Sequence, residues 1–290
     1  MDGFLHQLIA GIAAGGVYGA LGLAAVIVYQ STHHLNFAQG EMAMFSTYIA
    51  WILVQQGVPY WIAFAATLAF SFAMGLGIQR LVLERARLAP ALTTVLIFIA
   101  LLIIFNSVAG WLWGYTARVF PSPFGRAPLF KGSFMSAHEF GSIVVTVALV
   151  ALLYGFFNHT RMGLAMRACA HNPTSARLAG IRVSWMLGIG WGLAAAIGAV
   201  AGMLVAPVVY LDPGMMSGVL IYGFAAALLG GLDNPWGAVA GGLIVGITEN
   251  LLGAYVIGTE LKLSVALVLI IGVLLVRPAG MFGKTVVTRV

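Results

Sequence analysis

The sequence predicts an all-α protein, a polytopic bundle of about eight or nine transmembrane helices, and three observations carry that prediction. Apolar residues make up 61% of the 290-residue chain and charged ones only 8%, against about 25% charged in an ordinary soluble domain. Apolar runs recur with short interruptions, many near the roughly 20 residues that a helix needs to cross a bilayer. Glycine is abundant at 37 residues while strand-like alternation is absent, which favours closely packed helices over a barrel.

The runs fall near residues 8–30, 42–56, 60–79, 91–113, 140–158, 184–206, 217–231, 237–257 and 263–276. The first has no Lys or Arg ahead of it and exceeds the apolar core of a signal peptide, so it is expected to be a retained span. The second opens within LNFAQGEMAMF, where Asn36 and Gln39 have capping-box spacing and predict a helix start. Glu41 then falls in the first turns, where the positive end of the helix dipole favours a carboxylate. Asn36, Gln39 and Glu41 are therefore candidate pathway residues, placed by this reading towards the cytoplasmic end of the second span. The segment 114–139, rich in Pro, Gly and Phe, is expected to fold back over the outer surface.

Glu249 and Asn250 lie near the middle of the 237–257 run. A carboxylate there costs about 2.5–3.5 kcal/mol on insertion scales and so faces protein, a partner or water. Both residues are further pathway candidates, with structural hydrogen bonding as the plainer alternative. Glycines at helical spacing mark close-packing faces: Gly11, Gly15 and Gly19; Gly188 and Gly192; Gly198 and Gly202; Gly237 and Gly241; Gly242 and Gly246. A faint echo links VIVYQSTHHLNFAQGEM to VVYLDPGMMSGVL, a span ending near tyrosine with polar residues before the next span, as an inverted repeat would show.

The segment RMGLAMRACAHNPTSARLAGI, residues 161–181, reads as two short helices. Asn172 suits an N-cap, Pro173 the first helical position and Gly180 the residue past the end, predicting a second helix over about 173–179. Two turns are marginal in water, so Ala176, Leu178 and Ala179 are expected to enter a groove in the bundle or a partner.

Orientation follows the positive residues of short loops. Arg80, Arg85, Arg87, Arg161, Arg167, Arg177, Arg182, Arg277, Lys284 and Arg289 fall on one side of the alternating spans, and Arg118, Arg126, Lys131 and Lys262 on the other. The larger group is assigned to the cytoplasm, which puts the C-terminus inside and, with nine spans, the N-terminus outside.

Several chemistries are set aside. The formal charge of +6 is spread over loops with no basic block, which argues against nucleic acid. GMFGKT in the tail has Pro278 where a phosphate-binding loop needs glycine, so no nucleotide site is expected on this chain. The adjacent His33 and His34 point about 100° apart on a helix and lack partner ligands, so no metal is expected. Cys169 is the one cysteine and is read as structural. No carboxylate pair or nucleophile with a base has catalytic spacing, so the chain is not expected to be an enzyme.

These motifs resemble those of LivH-type permeases, the membrane subunits of branched-chain amino-acid ABC importers. The resemblance rests on RMG..MRACA.N...A.LAGI, LNFAQGE, AALLGGLDNPWGAVAGGLIVGITE and RPAGMFG, and runs along most of the chain. One departure is Gln39, where relatives often carry histidine.

The resemblance implies a type II importer permease fold in one domain over 1–290, with a coupling segment about 159–183. Arg161, Gly163, Arg167, Ala168, Asn172, Ala176 and Gly180 are its candidate ATPase-coupling residues. The implied partners are a second permease subunit of LivM type, two cytoplasmic ATPase subunits that bind ATP and Mg, and a periplasmic substrate-binding protein. The implied location is the bacterial inner membrane. The alternatives are a similar importer for urea, amides or aromatic acids, or an ATP-independent channel or secondary transporter in which Glu41 and Glu249 titrate or bind an ion.

Overall fold

The computed structural model describes residues 2–87, 89–125, 127–129 and 135–283. Arg126, Lys131, Lys284, Thr285 and Arg289 of the charge and motif readings lie outside the described residues. Eleven α-helices form among the described residues: α1 (Asp2–Thr32), α2 (Gln39–Gln55), α3 (Tyr60–Ile78), α4 (Ala91–Trp113), α5 (Ala137–His159), α6 (Arg161–His171), α7 (Pro173–Leu178), α8 (Val183–Val209), α9 (Met216–Gly230), α10 (Pro235–Tyr255) and α11 (Lys262–Val276). A π-helical turn, Gln79–Leu83, extends α3. No sheet forms among the described residues; Arg118 pairs with Leu211, and Pro128 with Ser136, in isolated antiparallel bridges.

Six helical segments are long and apolar enough to cross a membrane: Gly3–Thr32, Tyr60–Leu83, Ala91–Trp113, Ala137–His159, Val183–Val209 and Pro235–Tyr255. The helices α9 and α11 are apolar but shorter, at 15 residues each. Proline sets several starts. Pro59 and Pro90 precede α3 and α4, while Pro173 and Pro235 open α7 and α10, where a missing N–H costs no intrahelical bond. Asn234 caps α10, its side chain accepting from Trp236 N and Gly237 N at 3.2 Å each.

The chain divides into two compact units, one of residues 1–26, 124–146 and 218–290 and the other of residues 27–123 and 147–217. In the first, α1 meets α10 backbone to backbone. A Cβ at Gly11 would lie 2.9 Å from Ile247 Cα, one at Gly15 2.8 Å from the Gly242 carbonyl oxygen, and one at Gly19 3.0 Å from that of Val239. The matched register, four residues up α1 for four down α10, makes this an antiparallel contact in which the expected Gly11–Gly19 and Gly242–Gly246 ridges face each other. The Gly237 and Gly241 ridge turns to α9, against Gly230 and Ala226. The tail ties to α9 through Met281 N donating to Leu229 O (2.7 Å) and Phe282 N to Gly230 O (3.3 Å).

In the second unit α8 is the hub, with α3 and α2 packed on it. A Cβ at Gly192 would meet the Phe72 ring at 2.8 Å, and the Trp191 carbonyl leaves no room for one at Gly75. Gly202 sits on the Ala43 carbonyl, 2.9 Å from where its Cβ would be. Gly188 is different: a Cβ there meets Leu76 at an ordinary 3.7 Å, so the close-packing role expected of it falls to Gly75 on the facing helix.

The two echo segments share a local device. Among the described residues, His33 and Tyr210 are the non-glycine residues with positive φ, at 56° and 67°. Each follows the end of a long helix and precedes an Asx turn. Asn36 Oδ1 accepts from Ala38 N at 3.0 Å, and Asp212 Oδ1 from Gly214 N at 2.6 Å. The shorter helices α2 and α9 then begin.

Candidate functional site

The start of α2 is built differently from the capping-box expectation. Its N-cap is Ala38, with no side-chain cap, and Asn36 stands outside the helix. Besides its turn to Ala38 N, Asn36 donates through Nδ2 to Gln39 Oε1 at 3.3 Å. The box fails because Gln39 is drawn elsewhere: its Nε2 donates to the carbonyl of Ala194, at 2.9 Å. That carbonyl is reachable because Gly198, one turn on, has no side chain; a Cβ there would lie 2.8 Å from Gln39 Nε2.

Ala194 lies near the middle of α8, so α2 begins alongside the centre of a long helix. The cluster thus stands at the N-terminal end of α2, alongside the middle of α8. Asn36, Gln39 and Glu41 are all buried.

Glu41 sits in the first turn of α2 and accepts from Asn106 Nδ2 at 3.4 Å. Asn106, on α4, also donates to the Pro213 carbonyl at 2.7 Å, joining Glu41 to the hinge that follows α8. The Asp212 carboxylate in that hinge is close enough to act electrostatically on both Glu41 and Tyr48. Tyr48 stacks on Trp113 with ring centres 4.5 Å apart, and its buried hydroxyl has no partner. Arg118 lies over the Trp51 ring at 4.7 Å and donates to the Trp113 carbonyl at 2.6 Å. A track of polar groups thus runs along one unit, from Gln39 through Glu41 and Asn106 to Asp212, Tyr48 and Arg118.

Sequence reasoning missed Asn106, Tyr48, Asp212 and Arg118. For Asn106 a signal existed, an amide inside the 91–113 run, the same argument that singled out Glu249. Arg118 was counted only towards topology.

Glu249 and Asn250 belong to the other unit. Lys262 Nζ lies 3.8 Å from Glu249 Oε1 and 3.1 Å from Asn250 Oδ1. Its stem lies across Gly253, where a Cβ would be 2.6 Å from Lys262 Cε. Asn250 Nδ2 also donates to the Gly246 carbonyl at 3.1 Å. Tyr18 and Tyr222, stacked at 4.7 Å, both interact with the Glu249 carboxylate. The carboxylate is buried among a cation and two phenols, with Oε2 left without a partner.

The 159–183 segment forms the two short helices expected of it, α6 and α7. Thr160 caps α6, accepting from Gly163 N at 3.0 Å, and Gly163 packs against the Phe156 carbonyl. Asn172 Oδ1 accepts from Ser175 N at 3.0 Å, Pro173 opens α7, and Gly180 takes φ +81° two residues beyond Leu178.

Ala176 does not face a partner groove. It is buried with Cys169 and Val183, against Ile181 and Leu187, because a two-turn helix gains its stability by docking one side on its neighbours. Leu178, 86% exposed, and Leu164, 62% exposed, lead the segment's exposed apolar surface, with Met162 beside them in the sequence at 44%. Arg161, Arg167, Asn172 and Gly180 are exposed and Ala168 half-buried, and Arg167 donates to Asn158 Oδ1 at 3.2 Å. Burial pushes the Cys169 thiol pKa above its ordinary value, with Arg177 acting against it.

Among the described residues no cluster of His, Cys, Asp or Glu could hold a metal ion. His34 Nδ1 is engaged by the Thr32 carbonyl at 2.6 Å.

The family model for the permease component of branched-chain amino acid transport systems matches residues 7–274. The chain belongs to this permease family. Among its relatives, the high-affinity branched-chain amino acid transport system permease protein LivH of Escherichia coli K12 is 32% identical over 305 aligned positions, covering 99% of this chain and 98% of the relative. The permease protein BraD of Pseudomonas aeruginosa, from a high-affinity system of the same kind, is 30% identical over 303 positions, with the same coverage. A probable branched-chain amino acid transport permease protein LivH of Methanocaldococcus jannaschii is 28% identical over 284 positions, 91% of this chain.

No solved structure matches the chain. Like its relatives, the permease is a component of a transport system, and its apolar helices make it an integral membrane protein.

Proposed function

We propose that this permease forms the membrane path of an ATP-driven importer that carries branched-chain amino acids into the cytoplasm. The observation that carries the reading is the match to permeases of branched-chain amino acid systems along 99% of the chain. The chain lies in the inner membrane with its C-terminus cytoplasmic. It crosses eight times through the six long segments with α9 and α11, or nine times if the 17-residue α2 is counted.

ATP and Mg bind on two partner ATPases, a second permease completes the path, and a periplasmic binding protein delivers cargo. The α6–α7 segment receives the ATPases through Leu164, Leu178 and the exposed Arg161 and Arg167. A bistable bundle whose two states bind closed and open ATPases differently converts that docking into alternating access. Close glycine-mediated contacts let α1, α8 and α10 shift without large side-chain clashes.

The polar track from Gln39 to Arg118 offers a zwitterion acceptors at Glu41 and Asp212 and a donor at Arg118. The start of α2, which has no side-chain cap, adds the positive end of a helix, which favours a carboxylate. The test is uptake into proteoliposomes holding the whole assembly. Leucine uptake requiring ATP and the binding protein is expected; equal uptake without ATP would overturn the reading.

A further inference from the structure

At the opposite end of α8 from the hinge lies a cavity of about 160 Å³, none of whose lining residues belongs to the polar track. Its walls are the π-helical turn after α3, the loop to α4, the end of α1, the start of α8 and Arg177 of α7. The π turn is defined by Glu84 N donating to the Gln79 carbonyl at 2.8 Å, and the Arg80 guanidinium holds it down on the Trp185 ring, 3.4 Å from the ring centre. Such turns recur at functional sites because they re-aim side chains. Here the turn points Gln79 and Leu83 inward, and both line the cavity.

The polar groups make two opposite demands. Arg87 and Arg177 line the cavity without an ion pair among the described residues, and α8 begins there with no side-chain cap. Two guanidinium groups and a free helix N-terminus call for an anion. Gln79 is 94% buried, and its Oε1 has no donor. Glu84, also on the wall, carries the opposite charge to the arginines. An unpartnered buried amide oxygen and a carboxylate lining one cavity call for an N–H donor. Leu83, Val183 and Leu187 supply apolar wall between the two. At roughly 30 Å³ per water the volume equals about five waters, the scale of a small amino acid.

We infer that this cavity is a second binding site, for a free α-amino acid with a short apolar side chain. Its carboxylate is held by Arg87, Arg177 and the start of α8, and its ammonium by Gln79 and Glu84. The inference rests on the proposed function in taking the ligand to be the carried substrate. Because Arg177 belongs to α7, an occupied site ties that helix to the π turn and restrains the segment proposed to receive the ATPases. Cargo accumulating on that side then slows its own import.

The test uses the complete assembly in phosphatidylcholine nanodiscs, without ATP or binding protein, and reads radiolabelled leucine binding. Saturable binding is expected, weakened at least tenfold by Gln79→Leu and, separately, by Arg87→Gln. Neither 4-methylpentanoate, which lacks the ammonium, nor 3-methylbutylamine, which lacks the carboxylate, should compete. In proteoliposomes, leucine preloaded on the ATPase side should slow uptake by the parent protein and leave both variants unaffected, with their uptake into empty vesicles unchanged. Absence of saturable binding, binding unaltered in both variants, or displacement of leucine by added phosphatidylethanolamine would overturn the site. Uptake without this binding defeats the site alone; binding without ATP-driven uptake defeats the proposed function alone.

Discussion

Glu41, Asn106 and Pro213 show how a few polar atoms organise an apolar interior. One amide joins the first turn of α2 to the hinge after α8, so Asn106→Leu removes two hydrogen bonds at once and leaves a buried carboxylate less satisfied. A destabilisation of about 1–3 kcal/mol is expected, read as earlier loss of monodisperse protein on heating in detergent. Glu41→Gln keeps the shape and removes the charge. Full leucine uptake by that variant would remove Glu41 from the path, whereas a fall of tenfold or more is expected.

Gly198→Ala places a methyl group where the Gln39 amide sits and should cost about 1–3 kcal/mol by overpacking. The raised thiol pKa and burial of Cys169 predict slow maleimide labelling at pH 7, rising as pH increases through the thiol range. Labelling as fast as that of free cysteine would mean that α6 and α7 are not docked.

Among the elements, α7 was the most legible in the sequence, and for a local reason. Asn172, Pro173 and Gly180 act within one short stretch, so their spacing alone predicts the start and end of the helix, to one residue at its C-terminus. Asn172→Ala should cost about 1 kcal/mol and Gly180→Val about 1–2 kcal/mol, seen as faster proteolysis of the α6–α7 segment. The start of α2 was legible only as a start. Which bonds Asn36 and Gln39 make is decided by Ala194 and Gly198, more than 150 residues away, and spacing carries no trace of that. The fate of Ala176 was hidden for the same reason: composition marks it as small and apolar, but only the fold chooses between a neighbouring helix and a partner.

For the whole molecule, composition and run lengths were enough for the fold class, because lipid leaves few ways to satisfy a backbone. The motifs along the chain were enough for the family. The polar track was half legible, since Glu41 stands out in the sequence while Asp212 and Arg118 look like ordinary loop residues until the Arg118–Leu211 bridge brings them together. At this scale the transport reading predicts that mild purification recovers two ATPases and a second permease with this chain. Recovery of the chain alone, active in uptake, would contradict it.

The antiparallel seam between α1 and α10 also bears on how the protein is made. Gly11, Gly15 and Gly19 leave the ribosome more than two hundred residues ahead of the partners that cover them. At about 5–20 residues per second the seam stays open on the order of ten to forty-five seconds. Throughout that interval the newborn first helix presents a notched face to lipid or to the insertion machinery. Chains stalled before α10 therefore expose a surface that membrane quality-control proteases can distinguish from the finished protein.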